Sequence, residues 1–193
     1  MINMGALKMG LTEEELPEIV RKWREASPHI VNFWWTLGDA MMNAVRSGVV
    51  TNLPHGLCVW RTRKMLIMQL PSGRCLRYYD PAIGLNRFGQ ESITYQGYEA
   101  GKWLRLESYG PKFVENCVQG IARDCLVESM KRVARRYPDI CMHVHDEMIV
   151  EVPEAEAEEA LKYICDCMAE PIPWAQGLLL RGDGYITKYY RKD

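Results

Sequence analysis

No stretch of this 193-residue chain approaches the roughly 20 consecutive apolar residues that a membrane span needs. Its N-terminus also lacks a basic segment followed by an apolar one, so no secretory signal is read there. Those two absences predict a cytoplasmic protein with no membrane partner. The seven cysteines have no framework spacing, which excludes a disulfide scaffold and suits reduced thiols. No glycine-rich phosphate loop or nucleophile elbow occurs, and Ser72–Cys75, "SGRC", reads as a turn. Repeats and low-complexity tracts are missing too. Proline and glycine are few (10 and 15 residues) and 48% of the chain is hydrophobic, which excludes disorder. At this length the chain can bury one substantial core, or one and a half smaller ones.

A net charge of −1 conceals a polarised distribution. Between Trp60 and Arg77 the charged residues are Arg61, Arg63, Lys64, Arg74 and Arg77, with no acid among them. Such a run can neutralise phosphates, or it can be ordinary surface. From Asp139 to Glu170 the balance reverses. "PEAEAEEALKYICDCMAE" reads as an amphipathic surface helix with proline near its start.

The chain opens with helices. Thr12 and Glu15 form a capping box before an amphipathic run ending near Ala26. Ser27 as N-cap and Pro28 at the first position restart a helix that runs to about Ser47 and stops at Gly48. Trp23, Phe33, Trp34 and Trp35 are read as core or helix-packing residues. From Val49 to Leu106 the chain is strand-rich: "GLCVW", "KMLIMQL", "CLRYY" and "SITYQ" are separated by proline and glycine turns. "PAIGLNRFGQES" is the best candidate for a mobile loop. A long helix is predicted over about Lys112 to Arg136.

Two patterns carry chemistry. In "MHVHDEMIV" (Met142–Val150) two adjacent acids, Asp146 and Glu147, separate two alternating apolar runs. Side chains two apart share a strand face. A three-residue turn, His145 to Glu147, would pair Val144 with Met148, Met142 with Val150 and Ile140 with Val152, gathering all six apolar side chains on one side. A two-residue turn would set Met142 opposite Ile149 and split that face. An ordinary polar turn accounts for the acids equally well, because Asp is a favoured turn residue. In the long helix, Lys112, Asn116, Gln119 and Arg123 share a stripe about 60° wide, with Val114, Val118, Ile121 and Cys125 expected on the docked face. Amides and cations in a line suit the minor groove and phosphates of a duplex, and they also suit a solvated face.

"HVHDEMIVEVP" resembles motif C of the family A, DNA polymerase I-like DNA polymerases, where a His-Asp-Glu turn on a palm hairpin carries a metal-binding aspartate. "YGPKFVENCVQGIARDCL" (Tyr109–Leu126) is similar to the helix preceding motif C in phage-type members. "LRGDGYITKYYRKD" is similar to their C-terminal tail, and "MGALKMGLTEEELPEIVRKWREASPHIVNFW" to the stretch after motif B. No segment matches motif A, of the "DYSQIE" kind, or the motif B helix with its Lys and Tyr. The resemblance therefore implies the C-terminal part of a phage or prophage polymerase, starting just past motif B. Its expected fold is α+β, a short antiparallel palm-type sheet packed on the long helix. Residues 1–48 would form the helical base of fingers and palm. Residues 49–193 would form the palm portion, with the motif C hairpin at about 140–152 and the tail.

The activity implied is template-directed DNA synthesis in replication, a nucleotidyl transfer assisted by two Mg²⁺ ions. Asp146 would be a catalytic metal ligand and Glu147 a weaker, neighbouring acid. Gln119 and His145 would touch the minor-groove side of the primer-template terminus. Bacterial members have an Asn four residues before the Gln; here that position is Glu115, with Asn116 one later, so Asn116 is a weaker DNA contact. Lys112 and Arg123 are added from the stripe alone. The partners implied are primer-template DNA, a deoxynucleoside triphosphate and the missing N-terminal polymerase portion. Without motifs A and B the isolated chain is expected to have little or no polymerase activity. The competing expectation is a non-catalytic duplex-binding module or a remnant. Zinc is disfavoured: Cys165 and Cys167 on a helix point about 200° apart, and Cys141, His143 and His145 supply no complete tetrahedral set.

Overall fold

Local sequence signals set the helical opening of the fold. The structure is a computed structural model and describes residues 10–191. The first residues of the opening segment, 4–9, and the last two of the tail, Lys192 and Asp193, lie outside the described residues. Helix α1 spans Leu16–Ala26. Half of the expected capping box is present: the Glu15 carboxylate accepts from Thr12 N at 2.8 Å and Thr12 Oγ1 at 2.9 Å. Thr12 closes a turn before the helix, however, and Glu15 occupies the N-cap. Helix α2 spans Pro28–Ser47, and Gly48 ends it at φ 71° with its N–H on Ala44 O. Ser27 makes no side-chain capping bond. Leu37, Ala40, Met41, Ala44 and Val45 form the buried stripe of α2 at helical spacing.

Strands β1 (Thr51–Asn52), β2 (Cys58–Arg61), β3 (Met65–Gln69), β4 (Cys75–Leu85), β5 (Glu91–Glu99) and β6 (Lys102–Ser108) form one antiparallel meander in chain order. Val59, Leu66, Met68, Tyr78 and Ile93 turn their sheet face toward α2 and toward Phe113 and Cys117 of helix α3 (Gly110–Val133). The segment expected to be a mobile loop is mostly strand: Pro81–Leu85 belongs to β4 and Glu91–Ser92 to β5. Pro81 fits because the β4–β5 ladder is irregular between Tyr79 and Ala82, where a missing N–H donor costs least. Only the connection at residues 86–90 is a turn, closed by Asn86 Oδ1, which accepts from Phe88 N and Gln90 N at 2.9 Å each.

Helix α3 docks through Phe113, Cys117, Gly120 and Asp124. A Cβ on Gly120 would come within 2.8 Å of Leu70 Cδ1, so the bare backbone seats the helix there. That centring corrects the expected apolar stripe: Val118, about 100° round from Cys117, is 53% exposed. Trp35 also departs from expectation at 62% exposed, whereas Trp23 stacks on Trp34 with centroids 5.5 Å apart.

Strands β7 (Ile140–Val144) and β8 (Glu147–Val150) form a separate two-stranded sheet. Ile140, Met148 and Val150 pack with Val133, Tyr137 and Ala160, where α3 ends and helix α4 (Ala157–Ala169) begins. The fold is thus α+β, with a six-stranded sheet, a two-stranded sheet and four α-helices among the described residues. No helix among the described residues is long and apolar enough to cross a membrane.

Candidate nucleic-acid site

The β7–β8 register differs from the one the apolar pattern predicts. Val144 pairs with Glu147, His143 with Met148 and Met142 with Ile149, so the turn has two residues, His145 and Asp146. An irregularity between Ile140 and Met142 restores Ile140 opposite Val150. The extra residue on β7 shifts its alternation by one. Ile140 packs into the core, while Met142 is 40% exposed. The bulge, not a longer turn, brings β7's Ile140 to the core face that Met148 and Val150 of β8 occupy.

The tip is open. His145, Asp146 and Glu147 are all exposed. His145 holds φ 52°, a left-handed conformation uncommon outside glycine. Such positions concentrate at functional sites. Among the described residues Asp146 makes no side-chain hydrogen bond or ion pair. Glu147 Oε2 accepts from the Tyr190 hydroxyl at 3.5 Å, which brings the C-terminal tail beside the hairpin. No group of three or more metal-capable His, Cys, Asp or Glu residues occurs among the described residues. The hairpin therefore offers a pair of acids at one edge rather than an enclosing cage.

On α3, Lys112, Gln119 and Arg123 are exposed. Asn116 is half-buried at the edge of the docked arc, its Nδ2 donating to Tyr78 Oη at 3.2 Å. Hairpin and stripe share a scaffold, since the hairpin packs around Val133 near the end of the same helix. The basic run is divided. Arg61 Nη1 donates to Val45 O at 2.6 Å, and Arg74 Nη2 donates to Gly120 O at 2.7 Å. Arg63, Lys64 and Arg77 remain exposed. The residue that pattern reading passes over is Asp124, a buried acid receiving Arg74 and Ser72. Its one sequence signal is an acid set among apolar residues in "IARDCL".

The chain is similar to the C-terminal part of a phage DNA polymerase. The match is to "DNA polymerase" of Bacillus phage SP02, 47% identical over 195 aligned positions that cover 100% of this chain and 30% of that protein. This chain thus spans about 30% of the length of that curated relative. No protein-family model and no solved structure matches.

Proposed function

We propose that this chain is the palm-containing C-terminal portion of a family A, phage-type DNA polymerase and acts in template-directed DNA synthesis. The observation that carries the reading is 47% identity to a DNA polymerase along the whole chain, in which the His145-Asp146-Glu147 of "HVHDEMIV" stands at an exposed hairpin tip. Asp146 is the metal-binding carboxylate, and Glu147, steadied by Tyr190, lies beside it. Mg²⁺ commonly takes only one or two protein carboxylates among six oxygen ligands. Two exposed acids at an open edge, Asp146 with no side-chain partner among the described residues and Glu147 bonded to Tyr190, fit one side of such a site, the other side belonging to a motif A aspartate in the rest of the polymerase. When bound, magnesium would neutralise charge on the attacking and leaving oxygens.

The chain's own groups position the duplex. Gln119 and His145 offer hydrogen bonds to the minor-groove side of the primer terminus, where the acceptors are shared by every base pair. Lys112 and Arg123 neutralise phosphates on either side of Gln119. Asn116 contributes indirectly, by tying α3 to Tyr78 on the sheet. Primer-template DNA, a deoxynucleoside triphosphate and the remaining polymerase portion are the partners.

The test is a chimera joining this chain to the N-terminal 70% of the SP02 relative, assayed by primer extension in magnesium. Synthesis is expected from the chimera and none from the chain alone. Asp146→Ala should abolish it by about a thousandfold or more, the equivalent of several kcal/mol of lost charge stabilisation. A folded chimera that binds primer-template without extending it, or one indifferent to Asp146→Ala, overturns the proposal.

A further inference from the structure

The meander has a second face, turned away from α2 and α3. Alternation assigns it: Val59 is fully buried on the helix side, so Trp60 points the other way. Register then aligns Trp60, Ile67 and Arg77 across β2, β3 and β4. The next row is Met65, Tyr79, Gln96 and Arg105 across β3 to β6, and Tyr98 faces Trp103 beside it.

What projects from this face is aromatic and cationic. Tyr98 is 71% and Trp103 59% exposed, and the Tyr79 and Trp103 rings lie 6.2 Å apart, tilted by 53°. The aliphatic members are covered, Ile67 buried and Met65 half-buried. Arg77 lies two residues before Tyr79 on the same strand face; among the described residues its side chain donates only to the Cys75 carbonyl, at 3.3 Å. Arg63 and Lys64 stand at the β2–β3 turn, exposed. Two acids occur here. Asp80 is ion-paired with Arg105, which also donates to Thr94 Oγ1 at 3.1 Å, and Glu107 lies opposite Thr94.

We infer that this face binds single-stranded DNA, with bases stacked on Tyr79, Tyr98 and Trp103 and the backbone neutralised by Arg77, Arg63 and Lys64. Flat rings beside unpaired cations are the composition of a sequence-tolerant stacking platform. A surface left by removing half a domain core is richer in projecting aliphatic side chains and poorer in charge. The inference goes beyond the proposed function, because it concerns an unpaired strand and a face that does not use Asp146.

The experiment is fluorescence anisotropy of a labelled oligothymidylate of about 15 nucleotides with the chain as it stands, over a salt series. Trp103→Ala and Tyr98→Ala should each weaken binding roughly tenfold. Arg77→Gln should weaken it and reduce the salt slope by about 0.7. Phe88→Ala, at an exposed ring in the β4–β5 turn away from the hairpin tip, should leave it unchanged. Circular dichroism verifies that each variant is folded. The inference is overturned if the oligonucleotide does not bind, if Trp103→Ala and Arg77→Gln bind as well as the parent, or if a blunt duplex competes equally. Burial of Trp103 by the relative's N-terminal portion with no response to oligothymidylate overturns it as well, and makes the face a protein interface.

Discussion

Arg74 Nε donates to Asp124 Oδ1 at 2.5 Å, while Ser72 Oγ donates to the other carboxylate oxygen at 2.5 Å. These bonds pin the β3–β4 turn onto α3, the helix that presents Gln119 and Arg123 to solvent. Asp124 is only 8% exposed, so removing it leaves two donors partly stranded. Asp124→Ala should cost about 1–3 kcal/mol. In a chain of this size each kcal/mol lowers Tm by roughly 2–4 °C. Arg74→Ala should cost a similar amount, and the double variant little more than either alone. Fully additive losses in thermal denaturation would show that the pair is not coupled.

At the hairpin tip His145 holds a backbone angle that glycine adopts without strain. His145→Gly should therefore stabilise the chain, or leave it neutral, by at most about 1 kcal/mol. In the chimera the same change should depress primer extension, since it deletes the imidazole proposed to meet the primer end. Stability and synthesis moving in opposite directions is the expected signature. Urea unfolding run beside primer extension measures both, and a clear loss of stability would contradict the turn geometry.

Much of the helical part is legible because its signals are local: Ser27-Pro28 starts α2 and Gly48 stops it, whatever packs nearby. The β7–β8 register is not legible in the same way. Counting apolar positions assumes regular alternation, and one irregularity beside Ile140 shifts every following side chain on β7. Strand β6 had a readable signal in Leu104 and Leu106 alternating with Arg105 and Glu107. For the candidate site, the exposed acids at Asp146 and Glu147 follow from their turn chemistry. Which arginines are free does not. Arg61 and Arg74 reach backbone carbonyls of α2 and α3, segments brought beside them only by tertiary packing.

At Gly110 the start of α3 runs close against α2. A Cβ there would collide with the Trp34 carbonyl oxygen, and one on Gly38 would lie 3.1 Å from Gly110 Cα. Gly110→Ala must push α3 away from α2 or distort its first turn, at about 1–3 kcal/mol. Gly38→Ala should cost less, since its contact is looser. The ordering of the two urea midpoints tests the contact, and equal midpoints at the parental value would deny it.

Burial beneath the helices sets a pH dependence. It pushes the Tyr78 hydroxyl up to about 12 from its ordinary 10.0, with the Asn116 bond opposing, and the Cys117 thiol up to about 11 from 9.0. Both groups ionise earlier in the unfolded chain, so above pH 9 the folded state holds more protons and stability falls as pH rises. The Cys117 contribution is lost between about 9 and 11, and that of Tyr78 between about 10 and 12. Tyr95 and Cys125, also raised by burial, steepen the same limb. Tyr78 alone accounts for on the order of 2 kcal/mol across its window. Tyr78→Phe should be less stable at neutral pH, having lost the Asn116 contact, yet should decline less steeply between pH 10 and 12. Cys117→Ala should flatten the earlier part. Urea midpoints at half-unit pH steps read both slopes. A Tyr78→Phe curve parallel to the parent above pH 10 would mean that this hydroxyl already meets water in the folded chain.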